Sequence, residues 1–246
     1  MLESQSIAVS GAAMLLFAGV FVAGGRVHPL QPFFRDRRSA ISFGAGISIA
    51  YVFVRVLPEL HEARLDVVAA AQAPLPFQGA IVYFVALLGF MAFYSLDHLR
   101  RRVGESGTEG RESAAFRLHL GGFAAYVALL AYLLVQDSPD SIVLTALYAA
   151  TIAVHLLGID HSLRVEYSAA YDGSGRFVLA SMSLLGWLAG LLGAVPALVL
   201  PALMALISGA IIVNSAIMEL PREKDGRFVP FVTGGMMYGI LLTLVG

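Results

Sequence analysis

Thirteen of the sixteen lysine and arginine residues in this 246-residue chain fall in alternate gaps between long apolar runs, and a fourteenth, Arg117, lies in the first turn of the run after one of those gaps. The runs are residues 6–25, 39–57, 77–99, 114–135, 141–161, 177–194, 196–220 and 228–245, each close to the roughly 20 residues that an α-helix needs to cross a bilayer core. The gaps after the first, third, fifth and seventh runs hold Arg26, Arg35, Arg37, Arg38, Arg100, Arg101, Arg102, Arg111, Arg164, Arg176, Arg222, Lys224 and Arg227, with Arg117 just inside the fourth run on the same side. The gaps after the second, fourth and sixth hold only Arg64, and Arg55 lies inside the second run. Short loops rich in Lys and Arg stay cytoplasmic. The pattern predicts an all-α polytopic membrane protein of eight transmembrane helices with both termini outside, on the periplasmic or extracellular face. A wrong span count would scramble the alternation.

Composition agrees. The chain is 58% hydrophobic and 13% charged, against about 25% charged residues in a soluble domain, and its mean hydropathy is +0.79. A net charge of −1 without a basic patch gives no sign of a nucleic-acid partner. The absence of cysteine excludes disulfides and thiolate metal sites. The opening "MLESQS" lacks the positive stretch of a cleavable signal peptide, so the first run is expected to remain as a membrane helix. Compact length and short loops suit a multi-pass protein of a prokaryotic inner (plasma) membrane. Residues 1–246 read as a single membrane domain, with helices one to three at 6–99, a cytoplasmic linker at 100–113 ("RRRVGESGTEGRES") and helices four to eight at 114–245. Pro196 suits the first turn of helix seven, and Pro201 is expected to kink it. No internal repeat is visible. Gly186 with Gly190, and Gly235 with Gly239, have the spacing that lets membrane helices approach closely.

Polar residues at membrane depth are costly and face a partner, a cavity or a substrate. The segment "TIAVHLLGIDHSLRVEY", 151–167, places His155, Asp160, His161 and Arg164 at the end of helix five. At 100° per residue, Asp160 lies about 140° from His155, and His161 about 120° the other way. One regular helix therefore cannot offer all three to one ion, whereas a break at Gly158 would allow it. Asp160 and Arg164, four apart, suit an ion pair at the cytoplasmic boundary; Asp160 and His161 equally suit an inner metal exit. His155 is deeper and suits either a metal ligand or a hydrogen bond to a neighbouring helix. Asp97, His98, His119, Asn214 and Glu219 fall at similar depth toward the cytoplasm, and Arg55, Glu59, His61 and Glu62 near the outer surface. Carboxylates and imidazoles at both mouths fit a cation path. Arg55 cannot be a metal ligand. It either snorkels to the interface, attracts anions, or pairs with Glu59 as a gate.

These stretches resemble the ZIP metal-transporter family. "GAGISIAYVFVRVLPELHEA" resembles that family's second helix, a glycine-bearing run ending in His-x-x-Pro-Glu; Pro58 and Glu59 match, and Arg55 stands at the histidine position. "VALLGFMAFYSLDHLRR" has the third helix's Gly-Phe and acidic exit, and "SGAIIVNSAIMELPRE" resembles the penultimate helix, with Glu219 matching. The resemblance implies eight helices, outward termini and a cytoplasmic linker after helix three. In the family, helix four supplies His-Asn-x-x-Glu and helix five His-x-x-x-Glu. Here "GFAAYVALLAYLLV" lacks those helix-four ligands, His155 fills the helix-five histidine, and Asp160 follows one residue late.

The leading expectation is thus a ZIP-like transporter of a divalent cation, zinc foremost, working by alternating access between two helix groups. His155 would be the deepest ligand, with Asn214 the best-placed helper, Glu59 at the outer mouth, and Asp160, His161 and Glu219 at the inner exit. The metal is cargo; no organic cofactor and no enzymatic activity are expected. The bilayer and the metal ion are the expected partners, with a homodimer as a further possibility. A non-transporting ZIP-like scaffold is the second class, favoured by the missing helix-four ligands. An intramembrane metal hydrolase is the third; it would need paired histidines on one helix face, and His155 and His161 are off-face.

Overall fold

Where the apolar runs are described they fold almost wholly as helix. The computed structural model describes residues 2–25, 37–70, 78–104, 109–136, 142–193, 195–196, 198–215 and 226–245, and no strand occurs among them. The helices are α1 (Leu2–Ala23), α2 (Arg37–Tyr51), α3 (Leu57–Ala70), α4 (Gln78–Gly104), α5 (Glu109–Gln136), α6 (Ile142–Ala170), α7 (Arg176–Leu192), α8 (Val199–Asn214) and α9 (Phe228–Val245). Four helical stretches are long and apolar enough to cross a membrane, and three shorter apolar ones accompany them. Their outward faces carry large apolar side chains, among them Phe84, Leu88, Met91, Leu185 and Ile240. Such a surface suits lipid rather than water. This is the make-up of a membrane-embedded protein.

Several expected boundaries change. The second run does not stop at residue 57. A π-helical turn, Val52–Val56, joins α2 to α3, and the Leu57 N–H reaches back to the Val52 carbonyl. Pro58 explains this turn, because it lacks an N–H and its ring presses on the preceding turn, which the wider winding accommodates. Arg64 therefore sits on a helix rather than in a loop. The expected linker 100–113 is mostly helical backbone, with α4 reaching Gly104 and α5 starting at Glu109. Pro201 does not kink helix seven. The helix starts at Val199, later than Pro196, so Pro201 lies in the first turn, where a missing N–H leaves no bond unmade.

The expected gap between the fifth and sixth runs is not a loop at all. The helical path bends at Ser168 (φ 22°, ψ −97°), continues through a π-helical turn, Tyr171–Gly175, and enters α7 directly. The helix α1 packs against both arms of this bend.

Contacts divide the helices into two groups. α1, α5, α6 and α7 pack chiefly on one another, as do α2, α3, α4, α8 and α9. Within each group, glycine brings backbones together. A Cβ at Gly46 would strike the Phe231 carbonyl oxygen, and one at Gly234 that of Phe43, so α2 and α9 clasp reciprocally. The α4–α8 pair repeats the relation with Gly89 on Leu206 and Gly209 on Ala86. On the other side, Gly186 meets the Ala128 carbonyl and Gly190 that of Tyr132, seating α7 on α5. The Gln136 side chain adds a 2.6 Å hydrogen bond to the Gly190 carbonyl. Both glycine pairs singled out by spacing lie at helix contacts: Gly235 faces Gly46, and Gly239 faces Ala50.

Candidate functional site

The boundary between the two groups, where α4 meets α5, α2 meets α6 and α5 meets α8, has a different character. Side chains rather than bare backbone carry it, the tyrosines Tyr51, Tyr126, Tyr148 and Tyr238 among them. Tyr238 of α9 bonds Thr151 of α6 through its hydroxyl and also reaches the Leu147 carbonyl at 3.2 Å. The Tyr51 and Tyr148 rings lie 6.2 Å apart across α2 and α6. Phe93 of α4 meets the edge of Tyr126 of α5 at 5.2 Å.

His155 sits immediately behind this seam. It is buried, and its Nε2 lies 2.6 Å from the Tyr126 hydroxyl. Further along the same two helices the pairing is reversed, with His119 Nδ1 of α5 3.3 Å from the Tyr167 hydroxyl of α6. Phe123 lies between, in ring contact with both His119 and Tyr126. A phenol bonded to an imidazole gives each side chain a polar partner, which is how such groups are tolerated at depth. Asn214 is buried on α8, in the other group, and its Nδ2 has no hydrogen-bond partner among the described residues.

Asp160 belongs to a separate cluster. The helix is unbroken at Gly158, so Asp160 and His155 diverge as regular geometry requires. The Asp160 carboxylate, 2% exposed, accepts bonds of 2.9 and 3.2 Å from Arg164 and one of 2.7 Å from the Tyr171 hydroxyl. Arg164 also bonds Asp172, and its guanidinium lies 5.3 Å from the Tyr171 ring centroid. The cluster thus straps the bend at Ser168 from both sides. The end of α1 closes over it: a Cβ at Gly24 would come within 2.7 Å of Asp160 Oδ2, and one at Gly25 within 2.7 Å of Arg164 Cζ. His161 is half-buried on the same helix.

Of the alternatives open for Arg55, the structure shows the ion pair with Glu59, with Nε 2.5 Å from Oε1. They line a cavity of about 30 Å³ together with Tyr51, Tyr148 and Ser208, roughly the room of one or two water molecules. Its walls come from both helix groups, Leu130 and Tyr148 on one side, Arg55 and Ile207 on the other.

Of the six expected metal-site residues, the structure places His155, Asn214, Glu59, Asp160 and His161 on α6, α8 and α3, and Glu219 lies outside the described residues. No three His, Asp or Glu side chains gather closely enough to hold a metal ion among the described residues. The residues that sequence reasoning passes over are the tyrosines. Tyrosine in membrane proteins concentrates at the interfaces, so Tyr126, Tyr148 and Tyr238, all well inside apolar runs, carry a signal by their depth. Comparison with protein-family models, curated proteins and solved structures returns no match to this chain.

Proposed function

We propose that the protein is an eight-helix membrane carrier of ZIP-like architecture, moving a small divalent cation, zinc foremost, by rocking its two helix groups about the tyrosine-lined seam. The seam carries the reading. Each group is clasped internally by glycine contacts that tolerate little adjustment, whereas the boundary is held by hydroxyl and ring contacts that can be exchanged one for another. That is the division of stiffness alternating access requires.

The same helices support a count of eight crossings. The bent α6–α7 stretch, Ile142–Leu192, has 51 residues, about 77 Å if straight against a core of about 30 Å. It reads as two passages joined at Ser168. With the remaining six this makes eight, and the charge alternation then puts both termini outside. On this reading His155, one side chain behind the seam, is the cargo's deepest contact, with Asn214 of the opposite group as its helper.

A second reading, a non-transporting scaffold, draws on the Tyr126 hydroxyl, which already engages the His155 nitrogen that a metal would take. Flux decides between them. In proteoliposomes loaded with a zinc-sensitive dye, the native protein is expected to admit zinc and the His155→Ala variant to admit none. Intact flux in His155→Ala removes the site assignment, and absence of flux in the native protein for every divalent metal tested selects the scaffold.

A further inference from the structure

We propose that the seam cavity beside Arg55 is a binding site for a small monovalent anion, of the size of chloride or formate, which takes the guanidinium in competition with Glu59. Arg55 and Glu59 are the only charged side chains among the described residues that line the cavity. A guanidinium stays protonated at any working pH. While Arg55 is present the lining is therefore neutral at its most negative. A cation entering would meet a carboxylate already bonded at 2.5 Å and a positive charge beside it.

An anion meets the opposite conditions. Among the described residues Arg55 makes one hydrogen bond, from Nε to Glu59. Of the five N–H donors of a guanidinium, those on the two terminal nitrogens remain available. Pairing a terminal edge with a compact anion gives charge-assisted bonds, and the Arg55 side chain, 32% exposed, is open enough to be reached. The rest of the lining suits a guest with little hydration, since Tyr51 and Ser208 are buried and Leu130 and Ile207 are apolar. The volume, about 30 Å³, admits an ion of one to three heavy atoms and excludes a sugar acid or a phosphate ester.

The π-helical turn is what puts Arg55 here. A regular helix through Val52–Val56 would rotate each later residue through a larger arc, so the widened turn and Pro58 together set where the guanidinium faces. Because the walls belong to both helix groups, a bound anion touches both. The site lies on a different part of the seam from His155, and its occupancy does not depend on what the protein carries.

Thermal unfolding of the purified protein in detergent tests this, with sodium gluconate replaced stepwise by sodium chloride at constant ionic strength, and by sodium formate in a parallel series. The native protein is expected to gain melting temperature saturably with either small anion. Arg55→Gln is expected to lose the gain. Glu59→Gln, which removes the competitor, is expected to lower the half-saturating concentration roughly tenfold, the scale of one charge-assisted hydrogen bond. No saturable gain in the native protein, or an equal gain in Arg55→Gln, overturns the proposal. Should Arg55→Gln fail to fold, the Glu59→Gln series decides: an unchanged or raised half-saturating concentration overturns it. Binding is read without flux, so this result stands apart from the carrier reading.

Discussion

The Tyr126 hydroxyl and His155 Nε2 lie 2.6 Å apart between α5 and α6, both side chains buried. The phenol supplies the imidazole with a partner at a depth where water does not. Tyr126→Phe strands that nitrogen and is expected to cost about 1–3 kcal/mol of stability, the range for a buried polar group left unsatisfied. Chemical unfolding of the detergent-solubilised variant measures it. A change well below that range would mean that another group takes over the contact.

Glycine substitutions separate the clasped positions from the open ones. Gly209→Ala and Gly46→Ala drive a methyl into the backbone of Ala86 and Phe231 and are expected to lose about 1–3 kcal/mol. A methyl added at Gly19 or Gly121 would meet nothing within 4 Å, so alanine there is expected to be neutral or to gain up to about 1 kcal/mol from helix propensity. Melting temperatures of the four variants should fall into two classes; a single class would mean that the helix pairs can move apart at little cost.

The ion cluster at the α6–α7 bend has one buried and one exposed arm. Asp160→Ala removes a carboxylate that is 2% exposed and holds both Arg164 and Tyr171. Breaking such a buried pair costs about 3–5 kcal/mol. The Asp172 side chain is 49% exposed, and its pairing with Arg164 is partly screened, so Asp172→Ala is expected to cost at most about 1 kcal/mol. Equal losses would place Asp160 in water.

Ser168 is the only non-glycine residue with positive φ among the described residues. Ser168→Gly removes the steric cost of that backbone and is expected to be neutral or to stabilise by up to about 1 kcal/mol, whereas Ser168→Val should destabilise, since a β-branched residue tolerates positive φ least. The two melting temperatures must differ in that order.

The charge alternation makes a topological prediction that no packing contact bears on. Single cysteines introduced at Ser4 and Ser106 into this cysteine-free chain are expected to react with an impermeant maleimide from opposite faces of the membrane, Ser106 from the cytoplasmic face. Labelling of both from one face would overturn the eight-crossing arrangement.

What is legible in the sequence is whatever depends on local pattern. Apolar runs mark the helices, four-residue spacing marks the Asp160–Arg164 and Arg55–Glu59 pairs, and 100° per residue correctly keeps His155 apart from Asp160. What stays hidden depends on where helices end and on what faces what. Pro201 suggests a kink by its type alone, but the helix start lies close enough to absorb it. The polar residues after 161 suggest a loop, although Glu166, Tyr167 and Tyr171 wind on as helix, since helical propensity and the bonds among Asp160, Arg164, Tyr171 and Asp172 leave no hydropathy signal. Partners such as Tyr126 for His155, 29 residues away, follow from packing that no single-helix pattern encodes.

The absent loop between α6 and α7 has a mechanical corollary. Two helices joined by flexible chain can shift independently, because the slack between them absorbs the displacement. Here no slack exists: winding continues from Ile142 to Leu192, and the elbow at Ser168 is braced by Arg164 to Asp160 on one arm and Asp172 on the other. A tilt imposed on α6 at His155 would pass to α7 as a crank passes rotation, and α1, lying against both arms, would be carried along with α5. The group would turn as one stiff lever with its fulcrum at the cluster over which Gly24 and Gly25 close.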